Sequence, residues 1–276
     1  MTLSSENTPL AEIGAPPDGN LSLPDDKANF VEVSHLRKVF QDVGRGQVEA
    51  VKDISFTCSP GEIFGLLGAN GAGKTTTLRI LSTLLRPTSG TATVLGYDTL
   101  RSPLDVRKSM GFYSASTALY PRLTARETIE FFARINKVPK GAVRQRVEQL
   151  VEQLGLTSYA DSRVEKLSSG MKQKVSIART IAHDPPVLIF DEPTVGLDIL
   201  NALEFHSCLQ ELRSQGKAIV LSTHIMSEAE KLCDRIAIVM DGLILACGTL
   251  AELRTATKLH YLEDIFVFYL KGQRAS

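Results

Sequence analysis

Neither sign of charge dominates this sequence: Lys+Arg and Asp+Glu each number 31 in 276 residues. A chain with no net field is not drawn to nucleic acid or anionic lipid, so nucleic acid is not expected as a partner. Cysteine is sparse and scattered. Cys58, Cys208, Cys233 and Cys247 stand far apart with no C-x-x-C pair, which suits reduced cytosolic thiols better than a disulfide framework or a zinc site. No uninterrupted apolar run nears the ~18 residues that a membrane span requires. The N-terminus lacks the basic-then-apolar layout of a signal peptide, and no heptad pattern is sustained into a coiled coil. The expectation is a soluble chain of one large or two small domains, which could still sit on a membrane protein.

Against those absences one stretch stands out. Gly68-Ala69-Asn70-Gly71-Ala72-Gly73-Lys74-Thr75 fits G-x-x-x-x-G-K-[ST], with the apolar run Ile63–Leu67 before it and a helix expected over 76–85. Glycines let successive backbone N–H groups turn inward around a phosphate. The following helix, opening at Thr76, points its positive N-terminal end at the same anion. Lys74 is placed to reach β- and γ-phosphates, and the Thr75 hydroxyl to ligate Mg²⁺. A glycine-rich turn that binds nothing is the alternative, but the four fixed positions arise by chance in only about one chain in a hundred of this length. The loop reads as a nucleoside triphosphate site.

Residues 1–28, rich in Ser, Pro, Gly, Asn and Asp, read as a disordered tail. From Asn29 the pattern is of strands: Val31 and Val33 alternate with polar residues, 41–47 reads as a turn, and 48–58 as a second strand region. Gly90 to Gly96 is a further β segment. The middle is helical. Thr124-Ala125-Arg126-Glu127 is a capping box with Leu123 as a possible staple, and Val143, Val147, Leu150, Val151 and Leu154 form a stripe ending at Gly155. Then come three nearly unbroken apolar runs, Val187–Phe190, Ala218–Leu221 and Ile236–Met240, suited to a parallel sheet covered on both faces. The first two end in polar residues, as does the strand before Gly68, so three carboxyl ends converge where α/β sheets bind ligands. Residues 201–215 read as a crossover helix.

Asp191-Glu192 follows one of these runs. Asp191 would hold Mg²⁺ opposite Thr75, and Glu192 would take a proton from water attacking the γ-phosphate. The same pair could simply open a helix, and His224 could be an ordinary core histidine.

With these residues in place, the chain resembles the ATP-binding subunit of ABC transporters over about 30–270. Leu167-Ser168-Ser169-Gly170-Met171 is similar to the family's signature, Pro193-Thr194-Val195-Gly196-Leu197-Asp198 to its aspartate loop, and Ser222-Thr223-His224 to its switch histidine. Phe40 falls where the family stacks an aromatic on adenine; the alternative is that it caps the core of the small β region.

The resemblance implies an α/β P-loop NTPase (RecA-like) fold. A parallel-sheet core (29–115 and 186–250) would carry an N-terminal antiparallel β region, an inserted helical subdomain (116–185) and a C-terminal helical tail (251–276). It also implies a head-to-tail dimer in which Ser168, Ser169 and Gly170 close over the partner's ATP, and hydrolysis then releases the pair. The expected function is ATP hydrolysis driving a separate transmembrane permease from the cytoplasmic face of the membrane. Two alternatives are a non-transport ATPase of translation or DNA repair, and a regulatory nucleotide binder without turnover, which Glu192 disfavours.

Two departures are visible. The signature carries Ser169 and Met171 where Gly and Gln are usual. Ala115 stands where the family has a glutamine that reaches Mg²⁺, with Ser114, Ser116 and Thr117 around it. The stretch from Gly111 to Glu127 resembles the sodium-exporter branch.

Overall fold

The computed structural model describes residues 29–42, 44, 46–115 and 117–274; the expected tail of 1–28 and Ser116 lie outside them. In chain order the elements are β1 (Val31–Asp42), β2 (Gly46–Cys58), β3 (Ile63–Leu67), α1 (Lys74–Leu81), β4 (Ser89–Val94), β5 (Tyr97–Asp98), α2 (Pro103–Ser109) and β6 (Met110–Ser114). Then follow α3 (Ala125–Ile135), α4 (Lys140–Gln153), α5 (Ser169–Thr180), β7 (Val187–Asp191), α6 (Ile199–Ser214), β8 (Ala218–Thr223), α7 (Met226–Leu232), β9 (Arg235–Met240), β10 (Leu243–Gly248), α8 (Leu250–Thr257) and α9 (Leu262–Arg274).

The strands form one sheet in the order β5-β4-β1-β2-β10-β9-β3-β8-β7-β6. From β9 to β6 the pairings are parallel, whereas β1, β2, β4 and β5 pair antiparallel. The sequence shows why. Every residue of β3, β7 and β8 is buried, because helices cover both faces of that half. In the last turns of β2, buried Ile54, Phe56 and Cys58 alternate with more exposed neighbours, the period-2 pattern of a sheet open to water on one side.

The parallel strands divide the apolar interior in two. Leu188 and Phe190 of β7 face a core built from Ile129 and Ala133 of α3, Val143, Val147 and Leu150 of α4, and Val175 and Ile177 of α5. Val187 and Ile189, one residue out of phase, face a core with Leu78 and Leu81 of α1 and the antiparallel strands. The helical subdomain is therefore inserted between neighbouring strands β6 and β7, and its stripe is seated on one face of the sheet. We propose the same division of the chain as above on this element order.

Four boundaries differ from expectation. The β1–β2 ladder continues through Gln41↔Gln47 and Asp42↔Gly46, so most of the expected turn is strand. α1 opens at Lys74, directly after left-handed Gly73, and ends at Leu81, because Thr83 turns to φ 60°. α6 starts at Ile199, capped by Asp198. The Thr124 capping box forms, but the fourth helical position is Thr128, whose hydroxyl donates to the Thr124 carbonyl; no hydrophobic staple is made there.

Candidate active site

The loop between β3 and α1 wraps a cavity of about 200 Å³ lined by Asn70, Gly71, Ala72, Gly73, Lys74, Thr75 and Thr76, together with Ala50 and Glu192. Its glycines are required. A Cβ on Gly68 would lie 2.3 Å from the Val239 carbonyl oxygen, and Gly73 has φ 105° with the Ala50 carbonyl 2.6 Å from where its Cβ would be. The loop thus threads between β9 and β2 with no room for a side chain at Gly68 or Gly73 and leaves its N–H groups at the start of α1.

Lys74 is almost fully buried. Its Nζ donates to the carbonyls of Gly68 (2.6 Å) and Ala69 (3.0 Å) and lies 3.4 Å from Glu192 Oε1. Burial lowers the pKa of this ammonium, and the Glu192 carboxylate works against that. Next in sequence, the Thr75 hydroxyl donates to Asp191 Oδ1 at 2.9 Å, and the Ser222 hydroxyl donates to the same oxygen at 2.7 Å. Parallel register sets this up: Asp191 at the end of β7 lies opposite Ser222 of β8 on one side and Ser114 of β6 on the other.

Glu192 leaves the strand with φ 47°, a left-handed conformation costing a non-glycine residue roughly 1–3 kcal/mol. Its N–H is fixed by Ser222, at 3.1 Å from the hydroxyl and 3.2 Å from the carbonyl. Its two carboxylate oxygens are held apart, Oε1 toward Lys74 and Oε2 3.3 Å from His224 Nδ1. An Asp–Glu pair that merely opened a helix would not be strung this way: α6 begins only after Asp198, whose carboxylate accepts from the Asn201 N–H and side-chain amide. Those two bonds hold the Asp198 carboxyl below the ordinary carboxylate pKa. Nor is His224 a core residue, its ring being substantially exposed.

Ser168, Ser169 and Gly170 open α5. Ser168 caps it, its hydroxyl accepting from the Met171 N–H at 3.3 Å, and both serines are exposed. Ser169 lies in the first helical turn, so the serine for glycine is accommodated, and Met171 packs against the α3–α5 core. None of these residues lines the phosphate cavity. Phe40 does not line it either. Its ring, on β1, is 37% exposed, outside the apolar clusters, with Lys38 Nζ 5.0 Å from its centroid. Ala115 is exposed in the turn after β6.

Two residues of the site were given no role from sequence. Ser222 ties Asp191 to Glu192, and its position at a strand end beside β7 could have revealed it. Ala50 closes the cavity from β2 and carries no motif.

A phosphate cradle, a Thr–Asp pair and a glutamate between a lysine and a histidine are joined here at adjacent strand ends. The family model described as ABC transporter matches residues 51–195, and a Bacillus subtilis relative, "ABC transporter ATP-binding protein NatA", is 40% identical over 86% of this chain and 97% of its own. The chain belongs to the ABC transporter family. It is similar also to the linearmycin resistance ATP-binding protein LnrL of B. subtilis, 38% identical over 81% of this chain and 70% of that one.

Among solved structures, an ATP-binding subunit of an ABC transporter superposes with a TM-score of 0.80, at 30% identity and over 87% of this chain and 99% of that one. A dimeric post-hydrolysis state of the ATP-binding cassette MJ0796, bound to ADP and Pi, superposes at 0.73, with 27% identity over 79% and 98%. The protein is an ABC ATPase of the transporter type, and its fold is that of the ATP-binding cassette.

Proposed function

We propose that this chain is the motor subunit of an exporter, hydrolysing ATP at the site above and energising a separate transmembrane permease. The observation that carries the chemistry is Glu192, strained at the end of β7 with one oxygen toward Lys74 and the other toward His224. In this reading the loop N–H groups from Gly68 to Thr76 and the Lys74 ammonium hold the β- and γ-phosphates. Lys74 exchanges its carbonyl partners for phosphate oxygens. Glu192 accepts a proton from the attacking water, and His224 orients that carboxylate and the γ-phosphate. Phe40 stacks on adenine.

Two hard oxygen donors, Thr75 Oγ1 and Asp191 Oδ1, lie 2.9 Å apart beside the cradle. That set fits Mg²⁺, which takes one or two protein oxygens and fills its remaining positions with phosphate and water. When bound, Mg²⁺ supplies charge neutralisation to the phosphates. Asp191, with Thr75 and Ser222 both donating to its Oδ1, is a carboxylate oriented in advance for that role.

The exposed signature, outside the phosphate cavity, supports a second ATP-binding subunit as partner, and the dimeric cassette structure supports the same assembly. Among the described residues no helix is long and apolar enough to cross a membrane, so a permease would supply the path and hold the subunit at the cytoplasmic face. Export fits the relative named for resistance to linearmycin, since removing a toxic compound confers resistance. No relative named here is an ATPase of translation or DNA repair.

The test is Lys74→Ala in calorimetry and turnover, together with co-purification of the full chain from membranes. We expect ATP affinity and hydrolysis to be lost in the variant, and a polytopic membrane protein to accompany the parent. Unchanged affinity and turnover would overturn the site; a chain that never co-purifies with a membrane protein would overturn the transport reading.

A further inference from the structure

Two buried polar atoms outside the site face each other. Glu228, on the first turn of α7, has a side chain only 3% exposed, and its Oε1 lies 3.4 Å from Nε2 of His206 on α6. Neither atom makes a hydrogen bond among the described residues, so their approach is a contact at ion-pair distance only. The second carboxylate oxygen, Oε2, accepts from the Thr223 hydroxyl at 2.5 Å, and that hydroxyl oxygen in turn accepts from the Ile225 N–H at 3.0 Å. Thr223 and Ile225 flank His224. A buried carboxylate is costly unless its oxygens are filled, and here the filling fixes the turn that carries the switch histidine. The Thr223 hydroxyl can close the turn around His224 only while its proton has somewhere to go, and Glu228 is where it goes.

We propose that Glu228 is a positioning residue for hydrolysis: it sets His224 against Glu192 through the Thr223 hydroxyl. His206 extends the same tie to α6, the helix that starts directly after the loop from Glu192 to Asp198. The two segments leaving β7 and β8 thus meet at one buried contact of ion-pair distance. The inference rests on the proposed role of His224 and adds a residue that no motif of the site includes.

The experiment compares steady-state ATPase kinetics of the full chain with Glu228→Leu, Glu228→Gln, Thr223→Val, His224→Ala and the double variant His224→Ala/Glu228→Leu. Glu228→Leu and Thr223→Val are expected to lower kcat on the order of tenfold or more, with KM for ATP unchanged. Glu228→Gln keeps an oxygen for Thr223 and offers an amide to His206, and it should stay within about threefold of the parent. Because Glu228 acts through His224, the double variant should be no slower than His224→Ala, whereas a merely structural loss would multiply. Should Glu228→Leu fail to fold by urea titration, the nearly isosteric Thr223→Val decides. A parent-like Thr223→Val, multiplying costs in the double variant, or a KM that rises as kcat falls would overturn the inference alone. A parent-like His224→Ala would overturn the reading of His224 and this inference with it.

Discussion

The strand ends of the parallel sheet and the opening of α5 are both proposed to meet phosphate, yet they are finished to different degrees. At the strand ends the charged groups are paired with one another. Lys74 reaches two carbonyls and Glu192; Thr75 and Ser222 share one oxygen of Asp191; His224 meets Glu192. At the opening of α5 the helix N-terminus faces solvent behind Ser168 and Ser169, and a side-chain bond is made there by the cap from Met171 N–H to Ser168. A site that has to bind triphosphate and activate water benefits from electrostatics arranged beforehand. One that has to engage and release a second molecule does better unencumbered. The contrast fits the proposed function, in which the strand ends form a catalytic half prepared in advance and the opening of α5 a half-site for a partner.

The largest effect should come from breaking the finished half. Glu192→Gln keeps the shape, the strained turn and a donor–acceptor side chain beside Lys74 and His224, and removes only the base. Turnover should fall by on the order of 10²–10⁴, while ATP binding persists. Light scattering at saturating ATP should then show a dimer that forms and does not dissociate. A variant that hydrolyses ATP at the parent's rate would remove Glu192 from the chemistry.

The same contrast explains what was legible beforehand. The phosphate loop and Asp191-Glu192 are contiguous words, each beside an element whose period is readable, so their residues could be named from spacing, while the signature was named through the family resemblance. The ties among them could not. Asp191 meets Ser222 across 31 positions of sequence, through a strand register that only the folded sheet supplies. The left-handed backbone of Glu192 was invisible because nothing in a glutamate announces it. His206 fell within the expected crossover helix with nothing to mark it, and Glu228 lay outside every element and motif read from the sequence. Phe40, named by resemblance alone, is exposed on β1 outside the phosphate cavity, and its proposed stacking on adenine rests on the resemblance.

A second prediction concerns the opposite ends of the same elements, where the end of α5 meets the start of β6. His183 follows α5 and puts Nε2 3.3 Å from the Met110 carbonyl of β6, while Nδ1 is buried without a partner. Burial pushes its pKa from 6.5 down to about 4, against the pull of that carbonyl. The unfolded chain therefore takes up a proton near pH 6.5 that the folded chain refuses until about 4. Stability is full above 6.5 and is lost as pH falls through that window, by up to about 3 kcal/mol. Urea midpoints of the parent at pH 7 and 4.5 should differ by more than those of His183→Gln, which has no proton to take up. Equal differences in the two proteins would show that His183 does not titrate there.

The smallest effect, and the one that sharpens the comparison most, is expected at Ser168. Within this chain Ser168 only caps α5, and a cap of that kind is worth about 1 kcal/mol. Aspartate caps as well as serine, and its charge suits a helix N-terminus. Ser168→Asp should therefore leave folding stability within a few tenths of a kcal/mol, and single-subunit ATP affinity unaltered, because the residue does not line the phosphate cavity. Its carboxylate would nonetheless stand where the proposed partner's γ-phosphate approaches, and like charges meeting in a closing interface oppose assembly. In the Glu192→Gln background, the ATP concentration at half-maximal dimer formation should rise by about tenfold, or 1.4 kcal/mol. If Ser168→Asp assembles as readily as its parent, the opening of α5 does not read a partner's phosphate, and the unencumbered serines there would be nothing more than a cap.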